Sequence, residues 1–138
     1  MNYLVWAVVA LAGYTLVPPL AKLATAEIPS DVVVLISNGI LVVAASTLVV
    51  ATDVSVTPYL TSDRAIYAYG AGIALAVGII AYYRALAAGP ISVVVPVFGM
   101  FIATSSIVGI LFLEESLTAR KVAGIGFAVL AVYLTSVE

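Results

Sequence analysis

The groups of this chain that could bind a ligand are tyrosine hydroxyls, an asparagine amide and backbone carbonyls freed by prolines. Eight tyrosines and six prolines occur in 138 residues. A proline inside a helix removes one backbone hydrogen bond, so Pro18 and Pro96 would free the carbonyls of Tyr14 and Ser92. These groups make hydrogen bonds without carrying charge. They therefore favour binding of a neutral or zwitterionic molecule over proton or group transfer.

Six such residues are predicted to line one cavity. At roughly 1.5 Å of rise per residue, most of them fall in a layer about 5–9 Å below one membrane face. The set comprises Tyr14, Pro18, Asn38, Tyr82, Tyr83 and Pro96. Each has a structural alternative, because prolines kink helices, tyrosines join interfacial aromatic belts and asparagines bond between helices.

Several kinds of chemistry are excluded by residues that the sequence lacks. It contains no cysteine and no histidine, which removes thiolate chemistry and the commonest metal ligands. No Asp or Glu falls within the predicted spans, so proton-coupled export of cationic drugs is disfavoured. We expect no enzymatic activity, metal or cofactor. The net charge of −2 offers no basic patch for nucleic acid.

The elements that must position these residues are membrane-spanning helices. Hydrophobic residues make up 64% of the chain and charged residues 9%, a balance typical of an integral membrane protein whose apolar faces are covered by lipid. Five apolar runs are each long enough to cross a bilayer. They cover about residues 3–24, 32–52, 65–86, 91–113 and 119–137. We predict an all-α, five-helix transmembrane bundle forming a single domain over residues 1–138, with the termini on opposite faces.

Residues at the ends of these runs predict how the helices begin and turn. Ser30 or Asp31 would cap the second helix and Thr118 the fifth, while Gly89-Pro90 would form a tight turn. Ala24-Thr25-Ala26 is similar to a signal-peptidase site. The preceding run has no early Lys or Arg and contains Pro18, so it is better interpreted as a retained span.

Small residues at helical spacing predict where helices approach closely. Gly70, Ala74 and Gly78 recur every four residues in the third span, and Gly72 belongs to a second stripe beside them. Helices in lipid associate through such close packing, which predicts that the third span is central. Gly124 begins a similar pair in the fifth span.

Basic residues are divided almost evenly between the two faces. The face that holds the N-terminus receives Arg64, Arg120 and Lys121, and the other receives Lys22 and Arg84, a bias of three against two. So small a bias hardly specifies orientation. It is what insertion in both orientations would require, and chance gives the same split in a chain with so few basic residues.

An ordered set of short motifs resembles the EamA domain of the drug/metabolite transporter superfamily. The set is Tyr82-Tyr83-Arg84-Ala85-Leu86, Gly89-Pro90-Ile91-Ser92, Pro96-Val97, a span closing at Glu115, and Gly124. Five spans fit the length of one EamA repeat. The chain departs from the family at Ser37-Asn38-Gly39, where members often carry an arginine before an aromatic residue, so no substrate is inferred from that arginine.

The resemblance implies a transporter made from two repeats in inverted orientation, with the substrate site between them near the bilayer midplane. This chain supplies one repeat. We therefore expect an antiparallel homodimer, or pairing with an inverted paralogous five-span partner, that carries a small metabolite by alternating access. Arg84 and Glu115 would lie at a turn or gate edge. The expected location is a prokaryotic plasma membrane, as a multi-pass protein.

A second hypothesis belongs to another functional class. The chain could be a non-transporting membrane subunit or scaffold that holds another membrane protein through the glycine stripe of its third span.

Overall fold

The computed structural model describes residues 2–112, 116 and 118–136. This part of the chain is helical and contains no strand. Its helices are α1 (Tyr3–Ala24), α2 (Ser30–Ala51), α3 (Thr57–Leu60), α4 (Ala65–Ala88), α5 (Ile91–Gly99), α6 (Phe101–Phe112) and α7 (Ala119–Ser136). The all-helical class predicted from composition is confirmed.

Four stretches of the described residues are long and apolar enough to cross a membrane. They are α1, α2, α4 and the stretch Ile91–Phe112, which contains α5 and α6. Their ends agree with the predicted runs to within two residues. The helix α7 begins with Arg120 and Lys121 in its first turn, so its apolar part starts only at Val122. The fifth span, and with it the placement of the termini on opposite faces, stays a prediction.

The chain divides into two compact units, residues 1–88 and residues 89–138. In the first unit, α4 packs against both α1 and α2. A central place of the third span in the whole bundle stays a prediction. The core of the first unit is small and includes Ala21 of α1, Val33 of α2, and Tyr82, Tyr83 and Leu86 of α4. Most large apolar side chains outside this core are exposed, as expected of helices that lipid surrounds.

The second unit contains α5, α6 and α7, and α7 packs against both of the other helices. The stretch Ile91–Phe112 matches the span predicted over residues 91–113. Within it, α5 and α6 are separated by an interruption at one residue, Met100. The Met100 amide donates to the Val97 carbonyl at 3.2 Å, a tightened turn, and regular bonding resumes with the Thr104 amide and the Met100 carbonyl at 3.0 Å. The interruption directly follows Gly99, a poor helix former.

The helix ends confirm one predicted cap and correct another. The Thr118 hydroxyl accepts from the Lys121 amide at 3.3 Å, which is the predicted N-cap of α7. The cap predicted at Ser30 or Asp31 is wrong. The helix α2 begins at Ser30, two residues before the predicted run, with Pro29 at the cap position and no side-chain cap bond. The Asp31 carboxylate bonds another helix instead.

The predicted packing glycines are not approached closely within the described part of one copy. A Cβ atom built at Gly70, Gly72, Gly78 or Gly124 would meet no atom within 4 Å. The buried side chains of α4 lie near its C-terminal end. Packing of these glycines against a partner's helix stays a prediction.

Candidate functional site

A groove of about 310 Å³ lies among α1, α2 and α4 in the first unit. It begins beside the α1–α2 connection and extends along both helices toward the middle of the spans. Its lining is Val17, Leu20, Ala21, Ala24, Ile28, Val33, Ile36, Ser37, Ile40 and Tyr83. We call this the α1–α2–α4 groove. Its walls are apolar except for the hydroxyls of Ser37 and Tyr83.

Tyr83 is the buried polar side chain of this groove. It is 4% exposed, and its ring packs edge-on against Tyr82 with the centroids 6.3 Å apart. Within the described residues its hydroxyl makes no hydrogen bond. Every fully buried side-chain N or O atom in that part of the chain has a partner, so the Tyr83 hydroxyl keeps some accessible surface. It can donate to a ligand.

Ser37 supplies the second hydroxyl of the groove. Its Oγ donates to the Val33 carbonyl at 2.9 Å, one turn earlier in α2. This bond occupies the hydroxyl hydrogen, and the Asn38 amide donates to the same oxygen at 3.5 Å. One oxygen lone pair is left that can accept from a ligand N–H or O–H. The groove therefore presents one donor and one acceptor within an apolar surface.

Asn38 lies apart from this groove, in a smaller one between α2 and α4. That groove has a volume of about 230 Å³ and is lined by Val34, Asn38, Gly72, Leu75, Ala76, Ile79 and Ile80. The Asn38 amide donates to the Val34 carbonyl of its own helix at 3.0 Å. The structure thus places Tyr83 and Asn38 on two different grooves of the first unit.

The other predicted site residues are distributed over both units. Pro18 is buried in α1, whereas Tyr14 is 66% exposed and is not among the residues that line either groove. Pro96 is half-buried in α5, which belongs to the second unit. That Pro18 and Pro96 lie at the same depth in the membrane stays a prediction.

Two polar contacts join the helix ends next to the α1–α2–α4 groove. Arg84 of α4 donates from Nε and Nη2 to the two Asp31 carboxylate oxygens of α2, at 3.0 and 3.1 Å. The Lys22 ammonium of α1 donates to the Leu86 carbonyl at 2.7 Å and to the Ala87 carbonyl at 3.3 Å. These carbonyls belong to the last turn of α4, where a helix leaves acceptors unsatisfied.

Arg84 was predicted as a turn or gate residue, and its ion pair with Asp31 was missed. The available signal was positional, since the start of one helix and the end of the next antiparallel helix lie at the same face. Glu115, the other residue predicted at a turn or gate edge, lies outside the described residues.

A third groove, in the second unit, separates α6 from α7. Its volume is about 250 Å³, and its lining includes Ser106, Lys121 and the predicted packing residue Gly124. Ser106 donates to the Ile102 carbonyl one turn earlier at 2.8 Å. Across the described ranges, no cluster of three Asp, Glu, His or Cys side chains is placed to hold a metal ion.

Comparison with known proteins decides the family. The model of the EamA-like transporter family matches residues 1–137. The chain belongs to the EamA-like transporter family. The protein named "Uncharacterized transporter in cobO 3'region", from Sinorhizobium sp, is 29% identical over 133 residues, which are 96% of this chain and 94% of the relative. No solved structure matches.

Family membership and apolar helices together identify an integral membrane transporter. Membrane transporters of the EamA family are generally not enzymes. The bacterial relative is consistent with a prokaryotic origin.

Proposed function

We propose that this EamA-family chain carries a small neutral or zwitterionic metabolite across the membrane by alternating access. The working unit is an antiparallel dimer of five-span repeats, formed by two copies or by one copy and an inverted paralogous partner. The observation that carries this proposal is the family match over residues 1–137, a length that fits one five-span repeat.

The length of the relative supports pairing of single repeats. The alignment covers 94% of that protein, so it is nearly as short as this chain. A carrier that alternates access needs two elements that rock against each other around a site. A second copy inserted upside down provides the second element, and the even distribution of Lys and Arg permits that insertion.

The chemistry of the α1–α2–α4 groove supports the substrate class. Its lining residues carry no charge, and the Tyr83 and Ser37 hydroxyls are its polar groups. An unpaired ion would lose its hydration there without compensation. A small molecule with little or no net charge suits such a surface.

The open glycine stripe favours one other candidate function. Because a Cβ at Gly70 or Gly78 would meet no atom within 4 Å among the described residues, this face of α4 has room for a partner's helix. A membrane subunit without transport activity would use the same face.

Transport by the purified protein in vesicles tests the proposal. The full chain is reconstituted into liposomes loaded with a mixture of neutral and zwitterionic metabolites, and efflux is followed by mass spectrometry. We expect at least one solute to leave faster than from protein-free vesicles. We expect Ala24→Leu, which narrows the groove, to slow that efflux and Ala10→Leu, at an exposed position on the same helix, to leave it unchanged. Efflux equal to that of protein-free vesicles for every solute would contradict the proposal.

A further inference from the structure

Tyr83 is a buried residue whose hydroxyl keeps accessible surface and can bond a ligand. Tyr83 is 4% exposed, yet its hydroxyl has no hydrogen-bond partner in the described part of the chain. The α1–α2–α4 groove beside it gives room for a molecule to pair with it.

The groove also limits what that molecule can be. Eight of its ten lining residues are apolar and none of them is charged. The nearby charges of Asp31 and Arg84 are engaged with each other. A carboxylate or ammonium in the groove would therefore lose hydration without a partner of opposite charge among the lining residues.

We infer that Tyr83 is a specificity-determining donor for an uncharged metabolite with an apolar part and a carbonyl acceptor. The inference rests on the proposed transport function and narrows its substrate class from neutral or zwitterionic to neutral. The Tyr83 hydroxyl donates to the ligand carbonyl, and Val33, Ile36 and Ile40 contact the apolar part. Where the ligand is a primary amide, the Ser37 oxygen accepts from its N–H.

Binding of two matched probes to the full chain in nanodiscs tests the inference. The probes are 3-methylbutanamide, which is uncharged, and leucine, which carries the same branched group on a zwitterion. Saturation-transfer NMR titrations give the two affinities. We expect saturable binding of the amide and binding of leucine that is weaker by about tenfold or more, because leucine must desolvate two charges.

Tyr83→Phe is the decisive variant, with Tyr67→Phe as its control. Tyr67 lies on the same helix and is 76% exposed. Loss of one neutral hydrogen bond should weaken binding of 3-methylbutanamide to Tyr83→Phe by about two- to tenfold, while Tyr67→Phe binds as the wild type does. Ala24→Leu, which narrows the groove by another route, should also weaken binding.

The inference is overturned if Tyr83→Phe binds the amide as tightly as the wild type, or if leucine binds equally well. An amide signal as strong as that of the wild type in Ala24→Leu, or in nanodiscs without protein, would place the probe in lipid. That result would also overturn the inference. These results are separate from transport. If Tyr83→Phe transports solutes with the rate and selectivity of the wild type, the role of Tyr83 is contradicted and the proposed transport function is kept. If binding depends on Tyr83 but no solute leaves the vesicles, the transport function is contradicted and the binding groove is kept.

Discussion

Most hydroxyl side chains in the spans bond the backbone of their own helix. Thr15 donates to the Leu11 carbonyl at 2.7 Å, and Ser46 donates to the Val42 carbonyl at 2.8 Å. Such bonds satisfy a short side chain inside hydrocarbon without a neighbouring helix. Tyr83 differs because its rigid ring carries the hydroxyl beyond the reach of its own helix backbone. That difference is why we assign ligand recognition to Tyr83 rather than to the serines and threonines.

The Asp31–Arg84 ion pair should show charge complementarity between α2 and α4. We expect Asp31→Arg and Arg84→Asp each to lower thermal stability in nanodiscs and the double exchange to restore part of it. Both side chains are more than 60% exposed, so the effect is small and diminishes in high salt. Thermal unfolding at two salt concentrations measures it.

Equal losses at both salt concentrations, with no recovery in the double exchange, would contradict a direct pair. Asp63→Asn provides a control, since Asp63 is an exposed acidic residue in the connection before α4.

Lys22 should stabilise the last turn of α4. Replacing it by Met removes the ammonium that donates to the Leu86 and Ala87 carbonyls. Hydrogen bonds from a charged group are worth about 1.5–3 kcal/mol, and the lower end applies here because the Lys22 side chain is half-buried. We expect faster amide hydrogen exchange confined to the C-terminal turn of α4, with protection kept in Lys22→Arg.

Exchange that rises equally along all of α4 would indicate general destabilisation rather than loss of a cap.

At the scale of elements, the interruption between α5 and α6 is the main irregularity in the spans. It lies at Met100, directly after Gly99 and four residues after Pro96. Backbone groups released inside a membrane must find partners, and irregular backbone at that depth is tolerated beside protein or a water-filled cavity. Met100 itself keeps right-handed helical dihedrals, so the interruption is a single tightened turn. We expect this turn to bend during alternating access.

Gly99→Ala should stabilise this stretch and slow transport. The Gly99 backbone does not need positive φ, and an added Cβ meets no described atom within 4 Å. Alanine therefore gains about 0.5–1 kcal/mol of helix propensity without a clash. We expect a higher unfolding temperature together with slower efflux from vesicles.

Gly13→Ala in α1 is the matched control, because it also lies in a helix with no atom within 4 Å of the added Cβ. It should gain stability and keep the wild-type efflux rate. Wild-type efflux from Gly99→Ala would remove the functional role of the interruption.

Sequence reasoning predicted the helices well and their contacts less well. Apolar run length is a strong signal because the bilayer fixes it, so the ends of the first four spans agree to within two residues. The Thr118 cap was also predictable, since the capping bond is local in sequence. The interruption at Met100 was not, because a membrane helix can pass through Pro and Gly without breaking.

Contacts between helices required the structure. Tyr82, Tyr83 and Asn38 were predicted to share one layer, but α2 and α4 direct Asn38 and Tyr83 to different grooves. Linear depth along a helix does not specify which side of it a residue occupies. The partnership of Asp31 with Arg84 depends on which helices are neighbours, and no motif in either helix encodes that.

At the scale of the whole molecule, the proposed inverted pairing requires copies in both membrane orientations. The face predicted to contain the N-terminus carries Arg64, Arg120 and Lys121, which is one basic residue more than the other face carries. Changing Arg64 and Arg120 to Gln leaves one basic residue on that face against two on the other. We expect the population of copies to shift toward the orientation that places this face outside the cell, since basic loops stay in the cytoplasm.

A single cysteine at Ser62, in the connection between α2 and α4, measures the shift through labelling by an impermeant maleimide. Asp63→Asn is the control, because acidic residues contribute little to orientation. An unchanged labelled fraction in the double variant would show that Lys and Arg do not set the orientation of this chain.

The most direct test of inverted pairing is the orientation of the chain itself in living cells. The sequence has no cysteine, so Ser62→Cys is the single reactive thiol, and labelling of intact and permeabilised cells counts copies in each orientation. Two copies paired upside down predict that about half of the thiols label from outside. Labelling of every copy from the same side, with no oppositely inserted partner copurifying, would contradict the inverted dimer.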